Sequence, residues 1–159
     1  MLRNAAVATL LLIAACASAA PAPPPPVEND QVRACFARLL ALSGYGRRPD
    51  ERAAFVVVRD DGRFDCVLWP ATNGFRSASW QGSRPEGVIA IAHTHPRTLP
   101  DPSTRDAEEA RRLALPIYVL TPQQAVLVAT DGRAIVLARG EGWWQERALV
   151  EGKALLVSR

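Results

Sequence analysis

At 159 residues, of which 48% are hydrophobic, the chain holds enough apolar side chains for one globular core. Its 19 basic and 16 acidic residues leave a net charge of +3. That near balance, with no basic run interleaved with aromatic residues, argues against nucleic acid as a partner.

The first residues read as a targeting segment. Met1-Leu2-Arg3-Asn4 is a short positive stretch, and residues 5–15 form an apolar run too short to span a bilayer permanently. A signal peptide is therefore expected over residues 1–15. Ile13-Ala14-Ala15-Cys16 resembles a lipobox, in which a lipidated Cys16 becomes the mature N-terminus and anchors the chain to a membrane. Ala17-Ser18-Ala19 offers an ordinary small-x-small cleavage site instead, which would leave a soluble periplasmic protein. Either route implies export to a bacterial cell envelope. Residues 16–28, proline-rich from 21 to 26, read as a polyproline-type tether. One domain follows over residues 29–159, with no internal repeat and no second hydrophobic span.

Two other cysteines remain, Cys35 and Cys66. An even pair in an exported domain suggests a disulfide, which would contribute roughly 3–4 kcal/mol in the chain-entropy description. Two separate buried thiols are the competing reading. No C-x-x-C occurs, so a zinc–cysteine site is not expected.

Asn29 or Asp30 can cap a helix whose apolar positions are Val32, Cys35, Phe36, Leu39, Leu40 and Leu42, with Gly44 ending it. Residues 53–58 predict a strand, Asp61-Gly62 a hairpin turn, and residues 64–69 the partner strand. Residues 70–85 contain Asn73-Gly74 and little periodicity, which predicts a long irregular loop. A buried strand is expected over residues 87–92, a helix over 103–113 and a strand over 117–120. A closing hairpin pairs residues 125–129 with 134–138 through Asp131-Gly132. The tail from Gly142-Trp143-Trp144 shows no clear period. This order predicts an α/β (α+β) fold, a mixed sheet flanked by helices.

The chain's only two histidines stand two residues apart, in Ala92-His93-Thr94-His95-Pro96. Side chains at i and i+2 of an extended segment point the same way, so both imidazoles can reach one ion. Asp106 falls in the first turn of the following helix, where Ser103-x-x-Asp106 also reads as a capping box. Two neutral nitrogens, one carboxylate and an open fourth position are what a hydrolytic zinc site needs.

The pattern His93-x-His95, seven residues beginning with Pro96, then Ser103-x-x-Asp106 resembles the JAMM motif of the JAB/MPN-type zinc metalloproteases. It is most similar to the bacterial branch, in which Pro-Ser-x-x-Asp follows His-x-His-Pro, as in Pro102-Ser103-Thr104-Arg105-Asp106. The resemblance covers roughly residues 45–138. It implies a mixed, curved sheet of cytidine-deaminase-like architecture and a zinc-dependent peptidase or isopeptidase. It also implies an upstream glutamate as general base, for which Glu51 in Pro49-Asp50-Glu51 is the candidate. Ala54 stands where the family usually has a glycine. Glu86 is the rival carboxylate, but a straight strand would hold it roughly 20 Å from His93.

On this resemblance His93, His95 and Asp106 are expected to hold Zn2+. Glu51 would move the water's proton, and Ser103 would donate to the oxyanion. The expected partner is a peptide or protein with an amide or isopeptide bond in the envelope; export makes ubiquitin implausible. Two other readings compete: a non-haem iron enzyme, because two histidines and a carboxylate also make a facial triad, and a non-catalytic envelope lipoprotein of the same fold acting as a binding module.

Overall fold

A computed structural model describes residues 27–71 and 78–145. The signal peptide, Cys16, nearly all of the tether, the Asn73-Gly74 turn and the tail beyond Gln145 lie outside these described residues.

Helix α1 spans Asp30–Leu42, and Asn29 caps it by accepting from the backbone N–H groups of Gln31 and Val32. Its apolar spacing buries Val32, Cys35, Phe36, Leu39 and Leu40. Leu42 differs from expectation: it is 42% exposed, because its place in the helical turn falls off the buried stripe. Gly44, at φ +60°, turns the chain out of the helix.

The strands are β1 (Ala53–Val58), β2 (Phe64–Leu68), β3 (Val88–Thr94), β4 (Ile117–Leu120), β5 (Gln124–Val128) and β6 (Ala134–Arg139). Helix α2 (Thr104–Leu113) connects β3 to β4. The six strands form one sheet in the order β2-β1-β3-β4-β5-β6. Only β3 and β4 run parallel, as a strand pair joined by a helical crossover does; the other neighbours are antiparallel. Register shifts at Val56/Val57 and Ala125/Val126 interrupt two ladders, and such bulges bend the strands that carry them.

Period-two alternation sends each strand's side chains to opposite faces. On one face Ala54, Val56, Ala90, Ala92, Tyr118 and Leu120 pack against the buried stripe of α1. On the other Phe55, Val57, Ile91, Ile117 and Val119 pack against Ala110 of α2. The arrangement is thus a mixed sheet between two helices, as the element order predicts. Ala54 is fully buried toward α1, so the methyl group it carries in place of a glycine hydrogen sits in the core.

A disulfide joins Cys35 of α1 to Cys66 of the edge strand β2. Trp143 and Trp144 extend the α1-side core beyond what the tail's lack of period suggests. Trp143 lies 6.3 Å from the Phe36 ring and donates its indole N–H to the Thr121 carbonyl at 2.9 Å. Trp144 stacks on Tyr45 at 5.9 Å. Val27 also packs into this core, two residues ahead of Asn29. Among the described residues no helix is long and apolar enough to cross a membrane.

Candidate metal centre

Strand β3 carries Ile91 and His93 on the α2 face, and the extended chain delivers His95 to that side just past the strand's end. The two Nε2 atoms lie 3.1 Å apart, and both residues are buried. Helix α2 brings the carboxylate. Ser103 is its N-cap and Asp106 occupies the third helical position, forming the capping box read from the sequence. Asp106 Oδ1 lies 3.2 Å from His93 Nε2, and Oδ2 lies 3.6 Å from His95 Nε2. Oδ2 also accepts from the Ser103 backbone N–H at 2.6 Å and from the Ser103 hydroxyl at 2.7 Å.

Glu51 arrives from a distant part of the chain. Ala53 pairs with His93 in the antiparallel β1–β3 ladder. The ladder continues through Thr94 N–H to Arg52 O at 2.9 Å, and through Arg52 N–H to Thr94 Oγ1 at 3.0 Å. Counting on by one residue sets Glu51 opposite His95. Glu51, His93 and His95 each offer a ligand atom within 4.8 Å of the others. Two carboxylates therefore attend the histidine pair. Glu86 stays beyond the far end of β3 and does not line the cleft that contains the other five.

A second set of contacts fixes the His95 ring. Its Nδ1 lies 3.1 Å from the Leu99 carbonyl oxygen and 3.0 Å from that of Asp101. Only a protonated Nδ1 suits two acceptors, so neutral His95 presents a lone pair at Nε2. Loop 96–102 supplies those carbonyls, and Gln124 braces it. The Gln124 amide, nearly buried at the start of β5, donates to Pro100 O at 3.1 Å and to Asp101 Oδ1 at 2.9 Å. Gly46 backs the other side of this loop, its carbonyl accepting from Arg97 N–H at 3.0 Å. Sequence reasoning missed Gln124; its signal is a polar residue opening an otherwise apolar strand.

Electrostatics agree with ligand chemistry. Burial, and then the neighbouring charge of His93, lower the His95 pKa and favour the neutral ring. Burial pushes Asp106 up, but hydrogen bonds from His93 and Ser103 outweigh it and hold the carboxyl well below the usual range. Three electron-rich atoms meeting this closely need a shared hydrogen or a metal cation between them. Two imidazoles and a carboxylate suit zinc in donor type and number.

The site opens into a cleft of about 740 Å3 that Glu51, His93, His95, Ser103 and Asp106 all line. All five residues expected at the site are thus brought together. Cys16 lies outside the described residues. No curated protein matches the chain. The family model of prokaryotic homologues of the JAB domain matches residues 34–135, from within α1 to β6. JAB domains are often metal-dependent hydrolases. With well over half its length matched, and with both histidines, Glu51 and Asp106 inside the matched span, this chain belongs to the prokaryotic JAB-domain homologues.

Proposed function

We propose that the chain is a zinc-dependent hydrolase of amide bonds, a metallopeptidase or isopeptidase of the bacterial envelope. His93, His95 and Asp106 hold the ion, and Glu51 is the general base. One observation carries the reading: two buried Nε2 atoms 3.1 Å apart face a helix-borne carboxylate, with a second carboxylate within 4.8 Å. A zinc ion held there supplies Lewis acidity and a water acidified to a pKa of about 7.

The division of labour between the carboxylates follows from their settings. Asp106 is short, buried and tied down by Ser103, which suits a ligand. Glu51 is longer and half-buried on the segment entering β1, which suits a group that must move a proton. As a water oxygen attacks the amide carbonyl, Glu51 accepts its proton and then delivers it to the leaving nitrogen. The C–N bond breaks to give a carboxylic acid and an amine. The Ser103 hydroxyl turns from Asp106 to the carbonyl oxygen as charge develops there. Its backbone N–H stays on Asp106 Oδ2 throughout.

An envelope location has support from the lipobox-like Ile13-Ala14-Ala15-Cys16, the proline-rich tether and the Cys35–Cys66 disulfide, since such bonds persist in oxidising compartments. The test is Glu51→Gln. It should keep about one zinc per chain and abolish cleavage of envelope proteins that the wild type processes. Normal cleavage by the variant would remove Glu51 as base. Zinc bound with no hydrolysis by the wild type would favour a binding module, and iron in protein purified without an affinity tag would favour the oxygenase alternative.

A further inference from the structure

We infer that the cleft leading away from the metal centre is a substrate subsite for one bulky apolar side chain, aromatic or branched aliphatic, beside the scissile amide; this rests on the hydrolase reading above. The sheet's alternation builds it. Among the positions that share a face with His93, Phe55 on β1, Ile91 on β3 and Ile117 on β4 line the cleft. Trp69 and Trp80 rise beside them. Ring centroids lie 5.0 Å apart for Phe55–Trp69 and 5.2 Å for Phe55–Trp80, with interplanar angles of 57° and 74°. Trp80 donates its indole N–H to Ser83 O at 3.0 Å, which satisfies its polar edge and leaves the ring for apolar contact.

Continuity and chemistry choose the occupant. The cleft is one space with the metal centre, so a peptide whose scissile carbonyl sits at the histidines must lay a flanking residue along the aromatic wall. Charged groups outside the metal centre stand at the rim. Arg84, Arg105 and Arg112 are exposed, and Arg112 pairs with Glu109. A charged substrate side chain laid on the floor would lose water without gaining a partner. A small one would leave the wall unfilled. A large apolar one buries against rings that already pack at tilted and edge angles.

The experiment digests a mixture of blocked peptides, varied on both sides of each amide, with the zinc-loaded full chain and sequences the new N-termini. Cleaved bonds should carry Phe, Tyr, Trp or Leu at one fixed flanking position. Trp80→Ala should lower kcat/KM for those peptides at least about tenfold while zinc content stays the same. Cleavage with no side-chain preference would overturn the subsite and leave the hydrolase reading standing. Cleavage of no peptide at all counts against the hydrolase reading, and the subsite is then judged by binding to the wild-type fold. A blocked tripeptide with central Phe should change the tryptophan fluorescence of the zinc-loaded chain, and one with central Asp should not. Failure of the Phe peptide to bind, or equal binding of both, overturns the inference.

Discussion

Gln124→Met removes the brace of the loop that orients His95 while keeping the volume at the start of β5. The wild-type amide makes two donations, to Pro100 O at 3.1 Å and Asp101 Oδ1 at 2.9 Å. The neutral bond contributes about 0.5–1.5 kcal/mol net, and the charge-assisted one about 1.5–3 kcal/mol. Asp101 is exposed, so the second figure belongs at its low end. About 2–3 kcal/mol thus holds the Leu99 and Asp101 carbonyls on His95 Nδ1. Loss of outer-shell partners costs about 10–100-fold in metal affinity, or about 1.4–2.8 kcal/mol. The two figures match, so the brace is large enough to produce an effect of that size. A competition titration of zinc against a chromophoric chelator should find Gln124→Met weaker by 10–100-fold. Gln124→Glu should be weaker still, because it sets a carboxylate against Asp101 and the Pro100 carbonyl. Affinity within about twofold of wild type for both variants would refute the argument that the loop, through its two carbonyls, tunes His95.

Ser103→Ala removes a helix cap and one donor to Asp106. Stability should fall by about 1 kcal/mol and kcat by about 10²–10³-fold, with zinc content little changed; kcat equal to wild type would leave Ser103 as a cap alone. Replacing both Cys35 and Cys66 by alanine frees a loop with a sequence separation of 31. Urea denaturation should then show a loss of about 3.7 kcal/mol with zinc content intact, since the bridge lies on the sheet face opposite the metal centre. A loss below about 1 kcal/mol would show that the bridge constrains little. For the metal-free chain, both His95 and Asp106 have folded-state pKa values below their ordinary ones. The unfolded chain therefore binds more protons as pH falls, and stability present above those ordinary values is lost on acidification. The decline should begin as pH drops through 6.5, where unfolded His95 titrates, and steepen through 3.8, where unfolded Asp106 does. Stability flat from pH 7 to 5 would contradict the His95 contribution.

Local pattern made half of the site legible. The i, i+2 spacing of His93 and His95 on a β-branched run specifies a strand and a shared side, and Ser103-x-x-Asp106 specifies a helix start. Both depend on neighbours within a few residues. Glu51 is different. It reaches His95 through an antiparallel register with a strand some 40 residues away, and no local period reports such a pairing. Only the resemblance pointed to it. Gln124 escaped for the same reason, because its partners belong to a loop 23 and 24 residues earlier. In the fold, apolar and β-branched runs bounded by turn signals located all six strands, whereas the burial of Trp143 and Trp144 depends on a gap between α1 and the sheet end that no sequence window contains. Leu42 shows the converse: an apolar residue beside the buried stripe joins it on paper, while the helix turns it outward.

The most direct measurement is the metal content of chelator-washed, zinc-reconstituted protein, compared between wild type, His95→Ala, Asp106→Asn and Glu51→Gln. Joint grip by two imidazoles and the α2 carboxylate predicts about one zinc in wild type and Glu51→Gln, and none retained in His95→Ala or Asp106→Asn. Stoichiometric zinc in His95→Ala, or its loss from Glu51→Gln with retention in Asp106→Asn, would contradict that ligand set.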